Sequence, residues 1–280
     1  EVDKKFVSPS KVDKKFYQEL EKAFENDKFT IENTERLIHS HGQETFKDIY
    51  KVLYKSIDRL VDLVFYPESE KDVKEIIEIA LKFNVCLIPY GGGTNVTRAL
   101  SVPENEKRTV VSIDTRRLSK IEWINKEDRR VCVEAGITGK NLDELLKKEG
   151  FMIGHEPDSV ELSTIGGWIA TNASGMKKNK YGNIEDIVEN VHLVTPKGEI
   201  NQIKPISRGS IGFKPQNMLC GSEGNIGIIT KAILKIHERP EAQEYNSVLF
   251  KSWGEGVTFL KKLSKTNYIP ASVRLVDNIQ

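Results

Sequence analysis

Three consecutive glycines, Gly91 to Gly93 in PYGGGTNV, follow an apolar run and precede a threonine. Glycine loses more conformational freedom on folding than other residues, so three in a row indicate a tight turn or a backbone that approaches a ligand closely. A loop with so few side chains can turn several amide N–H groups toward phosphate oxygens. It is neither the G-x-G-x-x-G fingerprint nor a P-loop, because the glycines are contiguous and the Gly-Lys-Ser/Thr ending is absent. For this segment alone, the bare turn and the phosphate loop both stay open.

A second segment, EPDSVELSTIGGWIATNASG at 156–175, combines small hydroxyl residues with glycines. In such a segment the backbone and the side chains can both donate hydrogen bonds to a polar cofactor. A helix beginning near Thr164 would direct its N-terminal amides at an anion. The alternative is a capped turn and a small helix that packs on a sheet.

Two further segments could contact a ligand. MKKNKYGNIEDIV, at 176–188, carries three lysines that form either a solvated loop or a cationic approach for an anionic substrate. CGSEGNIGIIT, at 220–230, spaces its glycines so that the backbone could approach a flat ring system, or so that it turns into a strand.

Metal and nucleophile chemistry are not predicted. None of the five histidines stands in an H-x-x-x-H pattern or beside a cysteine pair, and no G-x-S-x-G elbow is present. His39 and His41 are two residues apart, a spacing that does not favour coordination. His155 adjoins the second segment, where it is either a ligand-site residue or a turn histidine with a satisfied hydrogen bond.

The elements around the glycines indicate how the loop is positioned. A strand over 60–66, a helix capped by Ser69 and a strand over 85–90 form one strand–helix–strand unit. The glycines follow its second strand, at the end of the strands where ligands collect in open α/β sheets.

The rest of the pattern predicts a mixed α+β protein. A helix beginning at Ser10, with Asp13 in its first turn, opens a leading helical region that runs to about Gly42 as a separate packing element. A second helix is capped by Thr138. Further strands are predicted at 109–113, 121–125, 129–135, 187–195 and within 224–236, followed by a helix over about 257–265 and a strand at 272–276.

The bulk composition is that of a globular protein. The 280 residues are 38% apolar and 30% charged with a net charge of +1, which shows no footprint for nucleic acid. Three separated cysteines, Cys86, Cys132 and Cys220, are expected to be buried free thiols in a reducing compartment. No apolar run approaches the ~20 residues that cross a bilayer. The chain lacks an initial methionine, so we expect it to begin inside a longer protein, with any targeting signal outside this segment.

Together, the four segments resemble the vanillyl-alcohol oxidase/p-cresol methylhydroxylase flavoprotein superfamily, in which they occur in the same order. Within it, the stretch VEAGITGKNLDELLKKEGFMIGHEPDS and the segments around it, from about Val7 to Gln280, resemble the alkyldihydroxyacetonephosphate synthase family. The resemblance implies a two-subdomain FAD-binding fold, with an N-terminal helical region at 1–56, the FAD-binding domain at 57–240, and the start of a truncated C-terminal substrate (cap) domain at 241–280.

The resemblance also implies non-covalent FAD as cofactor, no metal, and one catalytic residue, Arg274. The implied FAD contacts are Pro89, Tyr90, Gly91, Gly92, Gly93, Thr94, Asn95, Asp158, Ser159, Val160, Glu161, Leu162, Ser163, Thr164, Thr171, Asn172, Ala173, Ser174, Glu223, Gly224, Asn225, Ile226, Gly227, Ile228 and Ile229.

The implied reaction exchanges the acyl chain of acyl-dihydroxyacetone phosphate for a long-chain fatty alcohol. It makes the ether bond of ether lipids through a flavin–substrate adduct with no net oxidation. The family further implies a homodimer, peripheral membrane association, peroxisomal location and no nucleic-acid partner. Two alternatives stay open: an FAD-linked 2-hydroxy-acid dehydrogenase or oxidase, and a flavin-binding fragment without catalysis.

Two features depart from the family pattern. The chain reads TNAS where some relatives have TRAS, which alters one polar contact. The catalytic tyrosine, histidine cluster and phosphate-binding arginine of the family belong to a C-terminal part that this sequence does not include. We therefore expect this segment to hold FAD without completing the reaction by itself.

Overall fold

The computed structural model describes residues 7–43, 45–54, 57, 59–201, 210, 212 and 216–279. Its helices are α1 Lys14–Ala23, α2 Asn33–Ile38, α3 Phe46–Tyr54, α4 Glu70–Phe83, α5 Gly139–Lys148, α6 Ile165–Ala170, α7 Lys178–Tyr181, α8 Ile184–Ile187, α9 Gln216–Leu219 and α10 Trp253–Leu263. Its strands are β1 Phe29–Thr30, β2 Leu63–Phe65, β3 Cys86–Tyr90, β4 Val110–Asp114, β5 Ile121–Asn125, β6 Arg130–Glu134, β7 Phe151–Met152, β8 Val188–Thr195, β9 Gly198–Ile200, β10 Ile228–Lys235 and β11 His237–Glu238.

The first sheet has the order β1-β2-β4-β3, in which β2, β4 and β3 are parallel. Helix α4 connects β2 to β3, as the strand–helix–strand pattern predicts. The Ser69 hydroxyl accepts a hydrogen bond from the Asp72 N–H at 3.2 Å, which confirms the predicted cap. Asn84, in the left-handed region with φ +53°, ends the helix and turns the chain into β3.

The second sheet is antiparallel, with the order β5-β6-β10-β8-β9. Helices α5 and α6 cover one face through Leu142, Leu146, Trp168 and Ile169, all buried. The predicted cap of α5 is confirmed, because the Thr138 hydroxyl accepts from the Asn141 N–H.

Helix α4 lies between the two sheets and packs on strands of both. Its first turn is fixed to the second sheet, because the Thr230 hydroxyl donates to the Glu70 carboxylate at 2.9 Å. The two sheets therefore form one structure, in which the carboxyl ends of β3 and β4 meet α6 and the loop before β10.

The N-terminal region is neither wholly helical nor separate from the rest. Asp13, not Ser10, caps α1, while the Ser10 hydroxyl donates to the Asp62 carbonyl. β1 is the edge strand of the first sheet, and Phe16 and Leu20 are fully buried in the core beneath that sheet. The N-terminal region completes the first sheet, because the apolar side chains of α1 cover one face of that sheet. Residues 1–6, 44, 55 and 56 lie outside the described residues, and the domain boundaries stay predictions.

The C-terminal segment departs from the sequence prediction. Helix α10 begins four residues before the predicted start, at Trp253, where Ser252 is the N-cap. The strand predicted at 272–276 is wrong, since these residues are irregular. A strand needs a neighbour for its backbone groups, and none of the described strands pairs with this segment.

All three cysteines are free, as predicted, but only Cys132 is buried, while Cys86 and Cys220 are half-buried. Burial raises the pKa of the Cys132 thiol to about 11. None of the described helices has the length and hydropathy to cross a bilayer. Within the same described ranges, no group of three His, Cys, Asp or Glu side chains could hold a metal ion.

Candidate cofactor site

A cavity of about 360 Å³ lies where the carboxyl end of the first sheet meets α6 and the loop before β10. The four runs of implied FAD contacts, 89–95, 158–164, 171–174 and 223–229, all reach it, whereas no described residue of the lysine-containing segment 176–188 lines it. The predicted contacts that line it are Pro89, Tyr90, Gly91, Gly92, Gly93, Thr94, Asn95, Ser159, Ser163, Thr164, Thr171, Asn172, Ala173, Ser174, Glu223, Gly224, Gly227, Ile228 and Ile229. Those that do not are Asp158, Val160, Glu161, Leu162, Asn225 and Ile226.

The glycine loop forms the first wall. Among the described residues, the backbone N–H groups of 91–95 donate no hydrogen bond, although all five residues line the cavity. A Cβ on Gly92 would lie 2.0 Å from the Leu162 carbonyl oxygen, and one on Gly91 would lie 2.3 Å from the Thr164 hydroxyl. Both explanations for the glycines therefore hold: they allow tight packing on residues 162–164, and they leave a row of amides for an anion.

Helix α6 forms the second wall, and its amides are already used. The Ile165 N–H donates to the Ile137 carbonyl, and the Gly166 N–H donates to the Ala135 carbonyl at 2.7 Å. The Thr164 hydroxyl accepts from the Gly167 N–H, so Thr164 is the N-cap. The prediction that this helix directs free amides at an anion is wrong, because the residues that follow β6 accept them.

The turn before α6 explains why some of its residues miss the cavity. The Ser163 hydroxyl accepts from the Trp168 indole N–H at 2.7 Å and donates to the Ser159 carbonyl at 2.8 Å. This arrangement closes a turn whose exposed outer side carries Asp158, Glu161 and Leu162. Val160 packs instead on the core of the second sheet.

The third wall is the loop before β10. The Thr97 hydroxyl donates to the Glu223 carboxylate at 2.6 Å and so joins this loop to the chain after the glycines. A Cβ on Gly224 would lie 2.9 Å from Pro89 Cδ. Asn225 is exposed, and Ile226 packs on the second-sheet core, so both point away from the cavity lining.

Backbone strain is concentrated around the same cavity. Asn172 and Glu223, which line it, have φ of +50° and +46°, and Arg98, beside the lining residue Thr97, has φ of +64°. Non-glycine residues in this region cost free energy and often mark ligand sites.

The lining suits a cofactor that is anionic at one part and flat and apolar at another. Glu223 is the only charged side chain among the described lining residues, so an anion there must be held mainly by amides. The unbonded amides of 91–95 supply these hydrogen-bond donors. Apolar residues such as Ala170, Ile228 and Ile229 line the rest. These residues fit FAD, with its diphosphate and its ring system.

His155 is buried near this site but does not line the cavity. It is 6% exposed, and its ring lies 4.8 Å from the Trp168 ring. Neither ring nitrogen has a hydrogen-bond partner among the described residues, which excludes the interpretation as a satisfied turn histidine. Burial lowers the pKa of His155 to about 4, so the ring is neutral at pH 7.

Arg274 lies beside the cavity rather than in its lining. Its side chain is exposed, and its Nη1 lies 3.9 Å from the sulfur of Met176. Met176 stands two residues after Ser174, which does line the cavity. Lys177 pairs with Glu156 at 2.6 Å, whereas Lys178 and Lys180 are exposed on α7.

A buried group beneath the glycine loop was not predicted. His39 Nε2 lies 2.9 Å from an oxygen of Asp114, which Arg116 also contacts, and the His39 ring lies 4.3 Å from the Tyr90 ring. The sequence analysis considered His39 only as a metal ligand. No local signal could have revealed the contact, because 75 residues separate its partners.

Comparison with known proteins agrees with this site. Residues 61–204 match the family model of the FAD binding domain, and the chain belongs to that family. FAD is its cofactor, and the predicted α+β FAD-binding fold is confirmed.

The predicted resemblance to alkyldihydroxyacetonephosphate synthases is also confirmed. The chain is 44% identical to such a synthase from Caenorhabditis elegans over 95% of its own length and 43% of the relative. It superposes on a solved structure of an alkyldihydroxyacetonephosphate synthase with a TM-score of 0.89 at 36% identity, covering 95% of this chain and 48% of that one. A mitochondrial D-lactate dehydrogenase (cytochrome) from Kluyveromyces lactis is 28% identical over 97% of this chain and 47% of the relative. The chain thus spans less than half the length of these relatives.

Proposed function

We propose that this chain is the FAD-binding part of an alkyldihydroxyacetonephosphate synthase. The reaction replaces the acyl chain of acyl-dihydroxyacetone phosphate with a long-chain fatty alcohol and releases a fatty acid, with no net oxidation. The observation that carries the proposal is the contrast in identity at nearly equal coverage: 44% to a synthase and 28% to a D-lactate dehydrogenase.

The residues of this chain hold and orient the cofactor. The amides of 91–95 would hold the diphosphate, and the lining residues of 171–174 and of the loop before β10 would contact the ring system. When bound, the flavin supplies a ring that can accept and return an electron pair, which a side chain of this cavity cannot do. Because Glu223 is the only charged side chain among the described lining residues, the protein places little charge beside the flavin ring.

The substrate phosphate has a cationic approach on the Arg274 side. Arg274 lies beside Met176, two residues after the lining residue Ser174, and Lys178 and Lys180 are exposed on the helix that follows, α7. Such a cluster raises the local concentration of an anionic substrate and orients its charged end. In this proposal Arg274 acts on the substrate and not on FAD.

The lipid substrates also suggest where the protein works. We propose peripheral membrane association, homodimerisation and a peroxisomal location, which the likeness to the synthases supports. Helix α3 adds a structural argument for the membrane, because Phe46, Ile49, Tyr50 and Leu53 lie on one helix face and are all exposed. Flotation with lipid vesicles tests the membrane association, and protein that stays unbound would contradict it.

The proposed reaction is tested by product analysis. The FAD-loaded protein, in the longest form that contains this chain, is incubated with palmitoyl-dihydroxyacetone phosphate and hexadecanol. Mass spectrometry should detect the alkyl ether and one equivalent of palmitate. D-Lactate is the comparison substrate: pyruvate formation with flavin bleaching would favour the 2-hydroxy-acid dehydrogenase, and FAD binding without either product would favour the non-catalytic fragment.

A further inference from the structure

The glycine loop offers backbone amides to an anion, but it carries no cationic side chain of its own. Residues 89–97 carry no charged side chain, and Glu223, on the opposite wall, adds a negative one. A diphosphate brings two negative charges that unbonded amides compensate only in part. The residues that hold the loop in the conformation with unbonded amides are therefore relevant to cofactor binding.

Behind the loop, His39 and Arg116 both contact the carboxylate of Asp114. Arg116 donates to both oxygens of Asp114, with Nη2 at 2.6 Å from Oδ2 and Nε at 3.0 Å from Oδ1. His39 is fully buried, and its two ring nitrogens face the Asp114 carboxylate and the Glu35 carbonyl, at 2.9 Å and 2.7 Å. Both ring nitrogens therefore have a partner, which fixes the ring between α2 and the end of β4.

Asp114 is held ionised between them. Burial acts to raise the pKa of this carboxyl, but the hydrogen bonds from His39 and Arg116 lower it below its ordinary value. The Glu35 carboxylate lies 3.8 Å from His39 Nδ1 as well, so the group holds two acidic and two basic side chains.

Tyr90 connects this group to the loop. Its ring lies 4.3 Å from the His39 ring and 5.4 Å from the Arg116 guanidinium carbon. Gly93, with φ of +67°, is packed against the Tyr90 hydroxyl so closely that a Cβ would lie 2.4 Å from it. The Thr115 hydroxyl donates to the Tyr90 carbonyl at 3.1 Å. The position of the Tyr90 ring thus determines where the loop can lie.

We propose that His39 is a positioning residue for the diphosphate of FAD. By its contacts with Asp114 and the Tyr90 ring, it holds the glycine loop in the conformation with unbonded amides. The cofactor site then extends to the end of α2, outside residues 61–204 that match the FAD-binding family. The inference concerns cofactor binding and does not depend on the proposed reaction.

The test uses two variants within the same buried group. His39→Gln retains an amide N–H that can donate to Asp114 but removes the ring contact with Tyr90. Tyr66→Phe is the matched control: it removes the hydrogen bond from the Tyr66 hydroxyl to Glu35, also beside His39, but Tyr66 does not line the cavity. Arg116→Gln removes the other side chain that contacts both Asp114 and the Tyr90 ring. Because Arg116 is half-exposed, this variant can replace His39→Gln if the latter does not fold.

The readouts are the Kd for FAD, from flavin fluorescence, and the ³¹P NMR spectrum of the bound FAD. We expect His39→Gln to raise the Kd about tenfold, because the Tyr90 ring loses the contact that positions the glycine loop. It should also shift the diphosphate resonances without moving the visible absorption band of the flavin, and Tyr66→Phe should change none of these. Unchanged ³¹P resonances, a Kd within about twofold of the parent in His39→Gln and Arg116→Gln, or an equal loss in Tyr66→Phe would overturn the proposal.

Discussion

The glycine loop and the start of α6 are adjacent walls of one cavity, and both present glycines and hydroxyl residues beside it. The backbone N–H groups of 91–95 donate to no described residue, whereas those of Ile165 and Gly166 donate to carbonyls of 135–137. Residue types were therefore a poor guide to which amides are available. What separates the two walls is whether another part of the fold already supplies an acceptor.

The largest effect is expected from crowding the contact between the two walls. Gly92→Ala places a Cβ 2.0 Å from the Leu162 carbonyl oxygen and 3.0 Å from Ser163 Cα, backbone atoms that cannot rotate away. We expect loss of measurable FAD binding and a fall of about 2–3 kcal/mol in the free energy of unfolding. FAD titration and urea unfolding measure the two effects.

The matched control is Gly254→Ala in α10, where the nearest atom to a new Cβ is 4.0 Å away. It should be neutral or slightly stabilising, since alanine favours a helix. If Gly92→Ala behaved like this control, the close packing of the two walls would be contradicted.

The next effect concerns His155, which supports the α6 wall through Trp168. Its folded pKa, about 4, lies below the ordinary value of 6.5, so between these values the unfolded chain binds a proton that the folded chain does not. The stability that the neutral ring contributes is complete above about pH 6.5 and is lost as the pH falls toward 4, by about 3 kcal/mol. Urea unfolding across this range should show that loss in the parent, but not in His155→Phe. If the free energy of unfolding depended on pH in the same way in both proteins, the prediction would be contradicted.

A smaller effect tests the difference between the walls directly. Thr164→Ala removes the cap of α6 and should cost about 1 kcal/mol in the free energy of unfolding. The Kd for FAD should stay within about threefold, because the first α6 amides donate to the protein itself. Thr164→Ser keeps the cap and should match the parent in both measurements. A tenfold loss of FAD affinity in Thr164→Ala alone would show that α6 binds the anion after all.

The smallest effect is expected at the bridge between the glycine-loop side and the loop before β10. Thr97→Val removes the hydroxyl that donates to Glu223 and keeps the side-chain volume. We expect FAD to dissociate only a few times faster, equivalent to about 0.5–1 kcal/mol for an exposed hydrogen bond. Thr97→Ser should restore the parent rate in stopped-flow fluorescence. If all three proteins released FAD at the same rate, the hydrogen bond between Thr97 and Glu223 would not contribute to cofactor retention.

The sequence predicted best where the information is local. The caps at Ser69 and Thr138 and the unit around α4 follow from spacing and residue type. Strands β8 and β10 followed in the same way from apolar runs. The assignment of the cavity segments as cofactor contacts came instead from the resemblance to a flavoprotein family, because residue types alone left an ordinary turn equally open.

The sequence predicted poorly where a distant part of the chain decides. Ser10 is displaced as a cap because Asp62 accepts its hydroxyl, and the α6 amides are taken by residues 135–137. The strand at 272–276 has the right residue types but no partner among the described strands. His39 and Asp114 are far apart in sequence, so nothing near either one indicated their contact.

The central claim is that the unbonded amides of the glycine loop hold the diphosphate of FAD. A crystal structure of this chain with FAD tests it most directly. The account predicts diphosphate oxygens within hydrogen-bond distance of the N–H groups of 91–95, with the ring system between residues 171–174 and 223–229. FAD bound with its diphosphate at the start of α6, or outside this cavity, would contradict it.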